Sequence, residues 1–452
     1  MRLKTLGQTL RWVAAVGLFP ILGQAQTDAQ VDEALVALRS ELAELRRDYG
    51  ERVTELEARL ARIEARVATP VAAPAPTPIP PAPRGSSSIA AANAFNPAVG
   101  LILDAKWREF SNGGLEDAIP GFPAGEESGA GDEGLSLGES ELNLYANIDT
   151  RFYGGTTLAF VDEEGESGVE IEEAYLETLA LPAGLAVKAG RMFSSIGYLN
   201  ILHTHADDFV DRPLPYRAML DGQFADDGVQ LRWVAPTPLF FEVGGELLRG
   251  EGFPIAGAAD AGKGAWTAFA HLGGDVGSSH SWRAGISLLS GEVEGRETGA
   301  ATFSGETDME ILDFIWKWAP NGNPTVRNFK IQGEYLRRRE RGLLDEAGSI
   351  GSLDVDQDGW YVQGVYQFRR QWRVGLRWSE LSADDPGSLL AGTVYDPMGF
   401  EPRHYSAMLD WSSSEFGRLR LQYNRDSSRS ESEDQWLLQY TMSVGAHGAH
   451  RF

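Results

Sequence analysis

The spacing of apolar residues divides this chain into two unlike parts. Val31, Leu35, Leu38, Leu42, Leu45, Tyr49, Val53, Leu56, Leu60, Ile63 and Val67 follow one another at steps of 4-3-4-3-4-4-3-4-3-4. That is a coiled-coil seam with one stutter at Tyr49 and Gly50, where two steps of four adjoin. Glu41, Glu44, Arg46, Arg47 and Glu55 occupy the flanks. A lone helix would leave the Leu stripe uncovered, so the spacing predicts self-association over residues 27–69; a helix laid on another surface is the alternative. The seam does not fix the number of strands in the coil. Seven prolines between residues 70 and 84 end the helix and predict an extended polyproline spacer, continued by a flexible joint to residue 95.

From Asn96 onward the period changes to two. Leu101, Leu103, Ala105 and Trp107 alternate with Ile102, Asp104, Lys106 and Arg108; Leu438, Tyr440, Met442 and Val444 alternate with Gln439, Thr441 and Ser443. Such segments have the length of a tilted membrane strand, about 9–11 residues. Sixteen of them begin near residues 99, 137, 151, 168, 184, 227, 238, 264, 279, 306, 327, 357, 371, 403, 416 and 433. Tight turns such as Leu181-Pro182-Ala183-Gly184 and Ala235-Pro236-Thr237-Pro238 alternate with connections expected to be mostly long, Gly-rich and acidic. An even strand number with short turns on one side and long loops on the other predicts an all-β fold over residues 96–452. The expected architecture is a sixteen-stranded antiparallel transmembrane barrel. A soluble sandwich would bury its apolar faces against each other and does not explain this alternation.

Composition narrows the picture. With 452 residues, 42% hydrophobic, a formal charge of −25 and no Cys, the chain has no Cys-ligated metal site and no disulfide framework. No run of 18 or more apolar residues offers a transmembrane helix. The acidic balance argues against a nucleic-acid partner. Residues 1–25 read as a secretory signal: Arg2, Lys4 and Arg11, a short apolar run over 12–22, then Gly23 and Ala25 before Gln26. The mature chain is therefore expected outside the cytoplasm, with its barrel in the outer membrane of a Gram-negative bacterium and its N-terminal stalk in the periplasm.

The candidate chemistry concentrates in the third long connection, between residues 193 and 226. It holds His203, His205, Asp207, Asp208, Asp211, Arg212, Arg217 and Asp221, with Tyr198, Phe209, Pro213, Pro215 and Tyr216 available to pin it to a wall. Residues i and i+2 of an extended segment project to one side. His203 and His205, followed by Asp207 and Asp208, thus offer imidazole and carboxylate ligands for a divalent metal such as zinc. Two loop histidines hydrogen-bonded to the wall are the alternative. His447 and His450 are a weaker pair near the C-terminal end. Asp354, Asp356, Asp358 and Gly359 match the first half of a calcium loop, but Val365 stands where the bidentate Glu belongs. No cofactor is required by any of these patterns; zinc or calcium are the ions the loops could hold. Glu116, Asp117, Glu126, Glu127, Asp132 and Glu133 make the first long loop acidic, suited to concentrating cations or to binding ions that bridge lipopolysaccharide.

Alternation also gives the inward face. Lys330, Arg338, Arg373, Arg377, Arg418 and Arg420 should line the lumen, opposite Asp211 and Arg217 of the long connection. An arginine wall facing an acidic loop would set a transverse field across a pore. Pairing with Glu334, Asp313 and Asp410 inside a polar interior is the plainer arrangement. His271 is expected on the lumen side, but no Ser–His–acid grouping follows from spacing, so no enzyme is expected.

The stretch over 172–200, EEAYLETLALPAGLAVKAGRMFSSIGYLN, resembles the phosphate-selective porins O and P in its Ala-Tyr-Leu strand, short Pro/Gly turn and Gly-Arg before the long loop. The resemblance implies a sixteen-stranded homotrimeric porin in which the third external loop folds inward as the constriction. It does not imply phosphate as solute, because the loops here are acidic. Phe452 resembles the C-terminal aromatic signal read by the barrel-assembly machinery. HTHADDFVDRPLPYRAML and GAHGAHRF are similar to segments of proteobacterial outer-membrane proteins described as zinc-regulated or TonB-dependent receptors. The residues from Asn96 are too few for a barrel of that kind with its plug. The function expected is passive uptake of small hydrophilic or charged solutes. The alternatives are a channel for zinc or its chelates, and an envelope tether working through the coiled coil.

Overall fold

The computed structural model describes residues 97–113, 119–123, 125, 128–163, 166–256, 264–346 and 349–445. The signal, heptad and proline-rich segments, together with His447, His450 and Phe452, lie outside the described residues.

Alternating side chains demand a surface with two different faces, and the chain meets this by closing one sheet on itself. Seventeen strand segments run β1 (Ala98–Phe110), β2 (Gly134–Leu137), β3 (Ser140–Asn147), β4 (Phe152–Glu163), β5 (Glu166–Thr178), β6 (Leu185–Phe193), β7 (Ala225–Val234), β8 (Phe240–Leu248) and β9 (Ala265–Val276). They continue as β10 (His280–Thr298), β11 (Ala301–Trp318), β12 (Asn328–Glu346), β13 (Ser349–Arg369), β14 (Trp372–Ala383), β15 (Arg403–Ser414), β16 (Gly417–Ser427) and β17 (Glu433–Gly445). β2 and β3 both pair with β1 and are two pieces of one barrel strand, interrupted at Gly138 and Glu139. β17 pairs with β1 from Gly100↔Gly445 to Phe110↔Gln435, which closes an antiparallel barrel of sixteen strands. Closure leaves no sheet edge.

The outer face is apolar and the inner face polar. On β14, Val374, Leu376 and Trp378 are exposed, whereas Arg377 and Ser379 are buried. Aromatic rings bound the outer band: Tyr335 opposite Trp360 and Trp378 opposite Tyr405 at one level, Phe329 opposite Tyr366 and Trp372 opposite Trp411 at the other. The two levels lie six residues apart on each strand, about 20 Å at ~3.3 Å per residue.

Several expected loops turn out to be strand. β11 begins at Ala301 and β13 at Ser349, earlier than alternation of apolar residues suggested, and β10–β11 and β12–β13 are joined by tight hairpins. The reason is that pairing continues past the apolar band with charged outer faces: Asp356 accepts hydrogen bonds from Arg337 (2.5 Å) and Arg339. The inward positions of these extensions, including Val293, Phe303, Leu344, Leu353 and Val355, form an apolar cluster with Leu390 and Tyr395 of the β14–β15 loop. The calcium-like run falls in one of these extensions: Asp354, Asp356 and Asp358 lie in extended β13 and pair across the sheet with Arg341, Arg337 and Arg339, and Tyr335.

Candidate functional site

Residues 194–224, between β6 and β7, lie inside the barrel. Their sequence explains the shape. Pro213 and Pro215 preset the backbone for a short helix, α1 (Leu214–Leu220), every residue of which is buried. The helix stops where Asp221 takes a left-handed conformation (φ 50°) and the Gly222 N–H bonds back to the Tyr216 carbonyl at 3.0 Å. α1 packs on the inner faces of β12, β13 and β14. Ile196, Leu199, Leu214, Tyr216, Met219 and Leu220 join Met309, Ile311, Leu336, Tyr361 and Leu381 of the wall in one apolar core, with Ile119 and Phe122 of the first long loop added.

Glu334 captures the start of this loop. Its carboxylate accepts from the N–H groups of Tyr198 (2.9 Å) and Leu199 (3.0 Å) and from the hydroxyls of Tyr216 (2.9 Å) and Tyr361 (2.6 Å). Gly197 makes room for it: φ is +66°, and a Cβ there would lie 2.5 Å from Glu334 Oε2 and 2.6 Å from the Tyr216 hydroxyl.

The far side of the loop is held by the arginine wall. Asp208 pairs with Lys330 and with Arg373 (3.1 Å), and Arg373 also binds Asp410. Asp211 pairs with Arg377 at 2.6 Å and accepts from Gln422 at 2.5 Å and Asn424 at 3.2 Å. Arg420 binds Asp410 (2.7 Å) and donates to the Asp207 carbonyl (2.8 Å), while Arg418 donates to the His205 carbonyl (2.6 Å). Arg338 reaches Gln357 (2.6 Å) and the Ala218 carbonyl (3.4 Å), and Arg217 donates to the Ser128 carbonyl at 2.8 Å.

Burial tilts Asp208 and Asp211 toward the neutral acid, but the cations around them (Lys330 and Arg373, and Arg377 with His404 and Arg217) overcome it and hold both well below the usual carboxylate range. For Asp207, burial outweighs Arg212 and pushes the group up to about 6.

All eight residues expected to line the lumen lie inside the barrel, but in two situations. Arg217, Arg338, Arg377 and Arg420 are buried against the loop and clamp it. Lys330, Arg373 and Asp211 keep 22%, 24% and 20% of their side-chain surface, so only these and half-buried Arg418 meet solvent. Glu334, His404 and Asp410 were expected at most as generic partners, or not at all. Their roles depend on which strand lies opposite which part of the loop, and spacing does not carry that.

His203 and His205 come together, their rings stacked at 5.6 Å. Asp207 and Asp208 do not join them. Both turn to cations, Asp207 to Arg212 at 2.6 Å and Asp208 as above, because a short 3-10 turn at Thr204–Ala206 ends the extended run that would have kept them on the histidine side. Glutamates of the wall take their place: His205 Nδ1 lies 2.5 Å from Glu141, and His203 Nδ1 lies 3.2 Å from Glu172. Burial alone would lower the His203 imidazole; hydrogen bonds to Glu172 and Glu173 and the charge of Glu141 carry it well above its ordinary value instead. His271 faces the interior, 3.1 Å from Glu242.

No protein-family model matches the chain. Among solved structures it is similar to the outer membrane channel DcaP of Acinetobacter baumannii (12% identity, 77% of this chain and 96% of that one, TM-score 0.49). A second likeness is to an anion-selective porin from Comamonas acidovorans (12% identity, 77% and 99%, TM-score 0.49). A third is to the loop-deleted OmpT of Vibrio cholerae (12%, 78% and 100%, TM-score 0.48). At these values what the barrel does has to be argued from its own residues. An uncharacterized protein of Aquifex aeolicus is 32% identical over 391 residues, covering 79% of this chain and 80% of its own length. The chain therefore belongs to the same family as that Aquifex aeolicus protein.

Proposed function

We propose that this protein is an outer-membrane porin, passing small hydrophilic or charged solutes passively through a path narrowed by residues 194–224. The observation that carries the reading is the inversion of polarity: a closed barrel presents Leu312, Phe314, Leu376 and Leu409 outward and encloses charged side chains together with a folded loop. An apolar exterior bounded by aromatic rings suits lipid, with lipopolysaccharide at the outer rim. The enclosed charges that keep partial exposure, Arg232 (22%), Glu242 (14%), Lys330 (22%) and Arg373 (24%), suit a water-filled path beside the loop. A shaped, charged passage needs no covalent chemistry. Homotrimer formation, with barrel-assembly machinery acting on the C-terminus, belongs to the same proposal.

The test is current through the purified protein in planar bilayers. Small ohmic steps in groups of three are expected, and replacing residues 200–220 by a short Gly-Ser link should raise the step several-fold. Absence of any conductance in both proteins would remove the transport reading.

A further inference from the structure

Two irregularities in the barrel wall face the same pair of imidazoles. Between β4 and β5 the register slips after Thr157: Glu173 lies opposite Thr157 and Ile171 opposite Leu158, which leaves Glu172 as an extra residue. Glu172 and Glu173, adjacent in sequence, therefore both reach His203, at 3.2 Å from Nδ1 and 3.4 Å from Nε2. The interruption between β2 and β3 shifts the partner of β1 by one, Ala105 facing Leu137 but Ile102 facing Glu141. Glu139 there accepts from Thr204, and Glu141 lies against both histidines, 3.4 Å from His203 Nδ1 and 2.5 Å from His205 Nδ1. Bulges re-aim side chains, and here two of them converge.

The spacing suits a coordinated ion. The ligand atoms of Glu141, His203 and His205 lie within 4.8 Å of one another, and so do those of Glu139, Glu141 and Glu172. Four tetrahedral bonds of ~2.0–2.1 Å separate ligand atoms by roughly 3.3 Å. The 3.2 and 3.4 Å contacts of His203 Nδ1 fit that edge and exceed the ~2.7–2.9 Å of a charge-assisted hydrogen bond. The His205–Glu141 contact, at 2.5 Å, would have to open. The other nitrogen of His203 faces Glu173, which Lys188 holds at 3.0 Å. An outer carboxylate of this kind orients a metal-bound imidazole. Two imidazoles with carboxylates select a borderline ion such as zinc over magnesium or calcium.

We propose that Glu141, His203 and His205, with Glu172 as fourth ligand, form a zinc-class divalent-cation site that ties the first half of the inward loop to the barrel wall. The tie adjoins the arginine wall, whose Arg418 donates to the carbonyl of His205, and does not depend on the transport reading. The experiment is titration of the metal-free full-length protein with cobalt(II), followed by its visible absorption, then displacement by zinc. The expected result is one ion per chain with a low-symmetry cobalt spectrum. Binding should be abolished in His203→Gln/His205→Gln and in Glu141→Gln, and weakened about 10–100-fold in Glu173→Gln. Asp354→Asn, on the outer face, should bind as the parent does. Absence of stoichiometric binding by the parent protein, or unchanged binding by the Glu141→Gln and double-His variants, overturns the site. To separate loss of binding from misfolding of a variant, the parent carries a second readout. Zinc should slow proteolysis within residues 194–224 and a chelator should reverse it; equal rates overturn the tie.

Discussion

Asp410 is fully buried between Arg373 and Arg420, two strands that alternation alone marked as cationic. A carboxylate in that position is needed because the Arg420 guanidinium is fully buried, whereas Arg373 keeps some solvent and also pairs with Asp208. Asp410→Leu should therefore cost about 3–5 kcal/mol, the usual loss on stripping a buried charge of its partner. The midpoint of guanidinium unfolding of the refolded barrel measures it, and a loss below about 1 kcal/mol would mean that water reaches Arg420 as well. The polar residues of the interior were legible from the sequence, since inward positions follow from the period of two. Which acid meets which base was not: Asp208 finds Lys330 and Arg373, more than a hundred positions away, only because the loop folds back across the barrel.

At the scale of the element, residues 194–224 are held from two sides. Asp208 and Asp211 have carboxyls depressed far below the unfolded value of ~3.9, so the stability they give is complete above that pH and is lost as pH falls toward their folded values. The loop should stay closed from neutral pH down to about pH 4 and loosen only below it. Protease sensitivity of this segment, or channel noise, followed from pH 7 to pH 3 is the check; opening already near pH 6 would show that these pairs do not hold it. Pro213, Pro215 and Tyr216 announced a pinned loop in the sequence, and the buried helix α1 is what they build. The histidine pair was legible too, whereas its glutamates were not. The adjacent Glu172 and Glu173, two acids in a row inside an alternating strand, were the available sign of a bulge.

At the scale of the whole molecule, the decisive feature is an apolar outside. Leu376 is 69% exposed at mid-band, between the aromatic levels marked by Trp378 and Trp372. Leu376→Arg should cost about 2–4 kcal/mol for folding into phospholipid bilayers, since a cation at the bilayer midplane is poorly solvated. The same substitution in detergent, where the head group finds water, should cost far less. Equal costs in the two media would mean that this face does not meet lipid.

The order of the sixteen barrel strands and the inward and outward faces follow from the sequence by itself, while the inward course of the third long loop was implied only by resemblance. The backbone fixes the side-chain period at two, and each strand pairs with the next one in the chain. Where strands end was decided by tertiary structure, because β10 to β13 extend beyond the apolar band by pairing charged residues with each other, and local polarity reads such stretches as loop. Tertiary structure alone also decided the site. One-residue slips at Glu172 and between β2 and β3 turn glutamates inward onto His203 and His205, and the 3-10 turn after His203 sends Asp207 and Asp208 to the arginine wall. A slip of one residue leaves the composition of a strand untouched while reversing the face its side chains occupy, which is why pattern could not foresee it.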